Sequence, residues 1–154
     1  PNIWHHGDYL EINDCGGVKI YGRSDTTLNP GGVRIGTAEI YQTVERFSEV
    51  EDSLAIGQPW ENDERIILFL KMKGQYTISK ELIEQINKSI WESCSPRHVP
   101  AKIIAVADIP YTINGKKVEM AVKQIIQNEN IVNKDSIANP NSLKFYKNLM
   151  ELEE

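Results

Sequence analysis

The chain has 154 residues, and its hydrophobic fraction of 40% and charged fraction of 25% are typical of a soluble globular protein. A formal net charge of −5 argues against a general nucleic-acid binder, which normally presents a basic face. No apolar run approaches the length of a membrane-spanning helix, so we predict neither nucleic acid nor membrane as a partner.

The first quarter of the chain predicts a β-hairpin followed by a helix. Apolar-rich runs at residues 9–12 and 18–21 flank a turn of asparagine, aspartate and glycine. After a glycine-rich stretch, Thr37 is the predicted N-cap of a helix over roughly residues 38–47. Three apolar side chains at helical spacing would form its buried face: Ile40, Val44 and Phe47.

The middle of the chain predicts an antiparallel strand pair and a second helix. Residues 50–58 and 66–72 are strand-like, and the polar loop PWENDER separates them. Ser79 is the predicted N-cap of an amphipathic helix. The apolar side chains on its predicted inner face are Leu82, Ile83, Ile86 and Ile90.

The last third predicts a strand, a third helix and a polar tail. The strand covers residues 102–106, and the helix runs from Lys117 to about residue 127. The inward side chains of that helix would be Val118, Val122, Ile125 and Ile126. The tail carries a possible last amphipathic turn or helix with Leu143, Phe145, Tyr146, Leu149 and Met150. This order predicts an α+β fold: a short, mostly antiparallel sheet flanked by helices in three layers, preceded by a β-hairpin.

Three segments carry residues that could do chemistry, and each also has a plain structural interpretation. Asp8 follows Gly7 at a strand start, where a carboxylate can accept hydrogen bonds from a ribose diol. Aspartate after glycine is more often a simple turn residue, so this feature alone decides nothing.

The second segment, GRSDTTLNPGGVRIGTAEIY at residues 22–41, places two arginines around a glycine-rich turn. Arg23 and Arg34 could bind phosphate bidentately, and Gly31 and Gly32 would let a ligand approach the backbone. A hairpin with two solvated arginines is the alternative.

The third segment, IPYTINGKKVEM at residues 109–120, places Lys116 at the start of the predicted third helix. A cation is unfavourable at a helix N-terminus, which suggests an anionic partner. A solvated turn with a Lys-Lys pair is the alternative.

Taken in order, these segments resemble the late motifs of the adenylate-forming enzymes, the family of acyl-CoA synthetases, luciferases and peptide-synthetase adenylation domains. The matching residues are Gly7-Asp8, Gly22-Arg23-Ser24-Asp25, Gly32-Val33-Arg34 and Pro110-Tyr111-Thr112-Ile113-Asn114-Gly115-Lys116. The resemblance covers essentially the whole chain. Residues 22–41, SPRHVP at residues 95–100 and NPNSLKFY at residues 139–146 are most similar to the branch that activates acetoacetate.

The resemblance implies a role for each matched residue. Asp8 would bind the ribose hydroxyls, and Arg23 would contact the nucleotide. Asp25 would be the hinge of a mobile domain. Arg34 would reach the nucleotide phosphates in one orientation of that domain, and the loop of Gly31 and Gly32 would line the CoA tunnel in the other.

The lysine has the main catalytic role in this resemblance. Lys116 would bridge the carboxylate substrate and the α-phosphate of ATP during adenylation. The position that offers an arginine to the CoA nucleotide in acetate-activating relatives is Trp91 here, which leaves Lys88, Arg97 and Trp91 as candidates for that contact.

The resemblance also implies the reaction and the domain plan. The substrates and cofactors would be an acid, ATP (released as AMP), CoA and Mg²⁺, the metal bound mainly through ATP and an N-terminal adenylation domain. Residues 1–25 would end that domain, residues 26–130 would form the mobile domain, and residues 131–154 the tail. Because the ATP and acyl pockets of the family lie upstream, we expect this segment to fold but to be inactive alone.

The remaining reactive side chains predict no metal site. Cys15 and Cys94 stand apart without a ligand cluster, and His5 and His6 would point to opposite faces of a strand. Two free thiols favour a cytoplasmic protein. Three alternatives stay open at this stage: a synthetase for acetate, propionate or a longer acid, a stand-alone binding module, and a purely structural domain.

Overall fold

An antiparallel hairpin begins the part of the chain that the computed structural model describes, which is residues 8–23, 26–131 and 134–153. Its strands are β1 (Asp8–Ile12) and β2 (Val18–Arg23). The Asn13 side-chain oxygen closes the turn by accepting from the backbone N–H groups of Cys15 and Gly17 at 3.1 and 2.7 Å. Gly16 there has φ +78°, a conformation that favours glycine. The predicted hairpin is therefore confirmed.

A three-stranded mixed sheet forms the centre of the molecule. Strands β3 (Val50–Trp60) and β4 (Asp63–Met72) pair antiparallel, and β5 (Lys102–Ala105) adds to β4 in parallel. The order β3-β4-β5 puts β4 in the middle, and its residues 66–70 are all buried. A strand buried on both sides needs a layer of helices on each face.

The turn between β3 and β4 is tighter than the sequence predicts. The pairing continues to Trp60 opposite Asp63, so only Glu61 and Asn62 lie between the strands instead of the whole PWENDER loop. The guanidinium of Arg65 lies 3.4 Å from the centre of the Trp60 ring. This cation–π contact stabilises the end of the β3–β4 pair, which explains why the polar residues next to the turn remain in the strands.

Helices cover both faces of the sheet and make three layers. Helices α1 (Thr37–Val44) and α2 (Lys80–Ser93) pack on one face, and α3 (Glu119–Ile126) and the tail pack on the other. The predicted α+β class is confirmed. None of the helices within the described ranges is long and apolar enough to cross a membrane.

The first helix begins one residue earlier and ends three residues earlier than predicted. Its N-cap is Gly36, and Thr37 is already the first helical residue, so its hydroxyl does not cap the helix. Ile40 and Val44 are fully buried as predicted. Phe47 lies beyond the helix, yet it packs against the same core.

The second helix follows its sequence signals closely. The Ser79 hydroxyl accepts the Leu82 N–H at 3.2 Å, and Leu82, Ile86 and Ile90 are buried against the sheet. The predicted cap is confirmed, and so is the inner face except at Ile83, which is only half-buried and lies outside the core cluster.

Replacing Ser79 with alanine is expected to lower the free energy of unfolding of the chain by about 1 kcal/mol, because the N–H of Leu82 loses its acceptor. Urea unfolding followed by circular dichroism measures this loss. The control is Thr77→Ala, an exposed residue two positions earlier, which should change the free energy by less than about 0.5 kcal/mol. Equal effects of the two substitutions would contradict the assigned cap.

The third helix and the tail depart from the predictions in detail. Helix α3 begins at Glu119, so Lys116 lies three residues before it rather than at its start. The turn or helix predicted in the tail is present as 3₁₀ turns at Pro140–Tyr146 and Met150–Leu152. Leu143 and Tyr146 are buried as expected, whereas the Met150 side chain is 77% exposed. Proline at the start of the longer turn and the short apolar spacing favour the tighter 3₁₀ geometry.

Candidate functional site

Lys116 lies in a turn whose two sides are joined by backbone and side-chain hydrogen bonds. The backbone N–H of Thr112 donates to the Lys116 carbonyl at 2.8 Å, and the Lys116 N–H donates to the Thr112 hydroxyl at 3.0 Å. Gly115 has φ +72°, which this reversal requires. Tyr111 pairs with Lys117 at the base of the turn. The backbone of Lys116 is therefore fixed at both ends of the turn.

The side chain of Lys116 is free to meet a ligand. It is exposed, and its ammonium has no ion pair or hydrogen bond within the described residues. Lys116 lines a surface depression of about 590 Å³ together with Thr26, Tyr41, Thr112 and Glu119. An unpaired ammonium at the edge of a depression can stabilise an anion there.

The neighbouring Lys117 has the opposite environment. Only 15% of its side chain is exposed, and its ammonium is bound by the carboxylates of Glu45 and Asp52. The sequence alone presents a pair of lysines; in the structure Lys116 is the exposed one, and Lys117 is bound within the domain.

The glycine-rich loop is closed at its base by two buried residues. The backbones of Leu28 and Ile35 exchange hydrogen bonds of 2.9 and 2.8 Å, and both side chains are buried. Gly31 and Gly32 between them have φ +58° and +75°, so the turn needs glycine. Arg34 is exposed directly before the closing residue Ile35.

Carboxylates at the start of β4 hold this loop against the sheet. The N–H of Asn29 donates to Glu64 at 2.6 Å, and the N–H of Gly31 donates to both Asp63 oxygens at 2.9 and 3.0 Å. Lys123 of α3 pairs with Glu64 at 3.1 Å. Because the backbone amides of Asn29 and Gly31 already donate to carboxylates, they are not available to bind a phosphate. The tip of the loop presents the exposed residue Gly32.

Arg97 lies directly on this loop. A Cβ atom added at Gly31 would collide with the Nη1 atom of Arg97, so the guanidinium passes over the bare backbone of the glycine. Of the candidates for the CoA nucleotide, Arg97 is the one that the structure brings to the glycine loop.

The lysine turn and the glycine loop are attached to opposite ends of one strand pair. Lys117 donates to the Ser53 carbonyl in the first half of β3, whereas Glu64 is opposite Pro59 near its end. About six strand residues separate these points, which is roughly 20 Å at about 3.3 Å per residue. The two features therefore present different parts of the surface.

The hairpin brings two further predicted residues together. The backbone register places Asp8 opposite Arg23 at the open end of the hairpin. Their side chains are not described, and the predicted hinge Asp25 lies outside the described residues.

The structure shows no side-chain constellation for a metal. Within residues 8–23, 26–131 and 134–153, no group of three or more histidine, cysteine, aspartate or glutamate residues could hold an ion. Cys15 and Cys94 are free thiols, as predicted.

Sequence reasoning missed the supports of both features. Asp63 and Glu64 fell in the predicted polar loop, and Asp52 and Glu45 carried no recognisable motif. The partners of each contact lie between 32 and 72 residues apart in the chain, so no local pattern could have paired them.

The sequence is similar to acetoacetyl-CoA synthetases over nearly its whole length. It is 51% identical over 151 residues to the enzyme of Rhizobium meliloti, which covers 98% of this chain and 23% of the relative. The identity to the enzyme of Xenopus tropicalis is 52% over 155 residues, with 99% of this chain and 23% of the relative covered. The chain therefore spans less than a quarter of the length of these relatives. No protein-family model matches it.

Solved structures agree with this similarity. The acetoacetyl-CoA synthetase from Streptomyces lividans superposes with a TM-score of 0.83 at 38% identity, over 98% of this chain and 23% of that one. An acyl-CoA synthetase from Brucella canis superposes with a TM-score of 0.56 at 25% identity, over 73% of this chain and 21% of that one.

Proposed function

We propose that this chain forms the C-terminal part of an adenylate-forming acyl-CoA synthetase that activates acetoacetate, because it matches acetoacetyl-CoA synthetases over 98% of its length. The overall reaction would convert acetoacetate, ATP and CoA to acetoacetyl-CoA, AMP and pyrophosphate. The observation that carries the proposal is the unpaired, exposed Lys116 at the position of the family's adenylation lysine.

In the first half-reaction, an acetoacetate oxygen attacks the α-phosphorus of ATP and pyrophosphate leaves. Two anions must approach each other, so a cation between them lowers the energy of the transition state more than that of the separated reactants. The Lys116 ammonium would supply that charge from a turn whose backbone is fixed at Thr112. Magnesium would be bound mainly through ATP and the N-terminal adenylation domain.

In the second half-reaction, the CoA thiolate attacks the acyl carbon and AMP leaves. CoA needs access where the lysine stood, which requires a different surface of the domain. The roughly 20 Å along β3 between the lysine turn and the glycine loop supports a rotation at Asp25 that exchanges one for the other. Gly32 would then line the CoA path, with Arg34 and Arg97 beside it, while Asp8 and Arg23 would hold the nucleotide.

An N-terminal adenylation domain is the proposed partner. Leu10, Ile12 and Val18 of the hairpin are between 53% and 64% exposed. A two-stranded hairpin with exposed apolar side chains is marginal by itself and gains stability when a neighbouring domain covers it. We therefore assign residues 1–25 to the end of that domain and residues 26–130 to the mobile domain, with the tail at residues 131–154.

The test is the acid-dependent exchange of radioactive pyrophosphate into ATP by the full-length protein. Acetoacetate should support exchange more strongly than acetate or propionate. Exchange that acetate or propionate supports better would favour the sibling activity, and no exchange with any acid would favour a binding module without catalysis.

Replacing Gly32 with alanine in the full-length protein is expected to slow thioester formation by about 10- to 100-fold. Gly32 has φ +75° and open space around an added methyl group, so the substitution strains the backbone at the tip of the loop without a steric clash. Adenylation should stay within about twofold of the parent, because Gly32 faces the CoA path only after rotation. Supplied acetoacetyl-AMP and CoA measure the second half-reaction separately, and a loss confined to adenylation would refute this assignment.

A further inference from the structure

The ammonium of Lys117 has three acceptors within the domain. It donates to Glu45 Oε1 at 2.6 Å, to the Ser53 carbonyl at 2.5 Å, and it pairs with Asp52 Oδ1 at 2.8 Å. A lysine ammonium has three donor hydrogens, so this set uses all of them. It also lies 4.0 Å from the centre of the Tyr41 ring, a cation–π contact. Lys117 is therefore held from several sides and has no donor left for a substrate.

The acceptors of Lys117 are themselves fixed. Asp52 uses its other oxygen to accept from the Tyr111 hydroxyl at 2.6 Å, and Glu45 accepts from the Ser53 hydroxyl at 2.9 Å. Burial, and then the hydrogen bond to Asp52 and its charge, raise the pKa of the Tyr111 phenol, so the hydroxyl remains a donor at neutral pH. Tyr111 pairs with Lys117 across the base of the lysine turn. Tyr111 and Lys117, on the two sides of the base of the turn, therefore both bind the carboxylate of Asp52.

The direction of Lys116 follows from this attachment. Neighbouring residues in extended backbone point to opposite sides, so a Lys117 held inward turns Lys116 outward. The turn itself leaves little freedom, because Thr112 bonds both the carbonyl and the N–H of Lys116. Without Lys117, the carboxylates of Asp52 and Glu45 would repel each other and the base of the turn would lose its link to β3.

We propose that Lys117 is a positioning residue for adenylation. Through its contacts with Asp52, Glu45 and Tyr111 it would set the position and direction of the Lys116 side chain. The inference rests on the proposed function, since it assigns a role to Lys117 in the half-reaction that Lys116 serves.

The test uses the full-length enzyme with Lys117→Met, which keeps the length and apolar stem and removes the charge. Adenylation should fall by about 10- to 100-fold, because the lysine turn is no longer held in its productive geometry. Thioester formation from supplied acetoacetyl-AMP should stay within about twofold, since the glycine loop has separate anchors at Asp63 and Glu64. Hydrogen exchange of the peptide that contains Thr112 and Lys116 should become faster.

The matched control is Lys71→Met. Lys71 of β4 also joins two carboxylates, Glu51 of β3 at 2.9 Å and Asp108 in the loop after β5 at 3.1 Å, with 29% of its side chain exposed. It should leave both half-reactions within about twofold of the parent. If Lys117→Met does not fold, Glu45→Gln is the milder variant, because it removes one of the two carboxylates and leaves Asp52 on Lys117. It should slow adenylation selectively by about 3- to 10-fold.

The outcomes separate this inference from the proposed function. Parent-like adenylation in Lys117→Met, equal loss of both half-reactions, or unchanged hydrogen exchange would overturn the positioning role while the loss caused by Lys116→Ala still supported the proposed function. Parent-like adenylation in Lys116→Ala would overturn both.

Discussion

Replacing Lys116 with alanine in the full-length protein is expected to reduce adenylation of acetoacetate by at least about 100-fold and to leave thioester formation nearly unchanged. The removal of one preorganised donor to a developing charge typically costs 10²- to 10³-fold, or about 3–4 kcal/mol. The charge of Lys116 should be strongly felt, because no neighbouring carboxylate within the described residues neutralises it.

The two half-reactions are measured apart, the first by pyrophosphate exchange and the second with supplied acetoacetyl-AMP and CoA. Lys116→Gln is a useful companion, because it keeps most of the length and removes only the charge. It should lose adenylation almost as completely as alanine, and acylation of this lysine, which also removes the charge, should have the same effect.

Folding should not be affected by either substitution. The Lys116 side chain is exposed and makes no hydrogen bond or ion pair with the described residues, so the free energy of unfolding should change by less than about 0.5 kcal/mol. Lys73→Ala, another exposed lysine, is the control for loss of a surface charge. Parent-like adenylation in Lys116→Ala would contradict the assignment of this residue.

Features that depend on neighbouring residues were the ones that sequence could predict. The cap at Ser79 and the stripe of Leu82, Ile86 and Ile90 need only helical spacing, and both are present. The hairpin at residues 8–23 likewise follows from its turn residues. The exact start of the first helix was predicted wrongly by one residue, because Thr37 already belongs to the helix and Gly36 is its N-cap.

The candidate site divides in the same way. The motifs identified Lys116, Gly31 and Gly32 because their residue types are contiguous in the chain. The groups that hold them could not be found, since Glu45 lies 72 residues from Lys117 and Asp63 lies 32 residues from Gly31. The orientation of the Lys-Lys pair is also a tertiary property, because only the position of β3 decides which lysine is buried.

The largest expected effect on stability comes from Phe69 in the central strand. Phe69 is fully buried, and its ring meets that of Tyr146 edge-to-face, with centroids 4.9 Å apart and an interplanar angle of 80°. Replacing Phe69 with alanine should lower the free energy of unfolding of the chain by about 3–5 kcal/mol, from lost burial and the cavity left behind. Because a domain of this size has a total stability of about 5–15 kcal/mol, that loss is a large part of it.

The destabilisation by Phe69→Ala should extend to the tail, because Tyr146 connects the tail to the central sheet. Its hydroxyl donates to the Asp108 carbonyl at 3.0 Å, and its ring packs on Phe69. In Phe69→Ala, limited proteolysis should cut residues 134–153 faster than in the parent. Phe69→Leu should cost less than about 2 kcal/mol because it keeps most of the volume, and Met150→Ala should cost less than about 0.5 kcal/mol because that side chain is exposed. A loss below about 1 kcal/mol in Phe69→Ala would mean that the tail and the sheet do not share one core. A loss of the expected size together with faster cleavage would mean that they unfold as one cooperative unit. Because the turn that carries Lys116 has backbone hydrogen bonds to Ser136 and Ala138 of the tail, the stability of that turn would then depend on the stability of the whole domain.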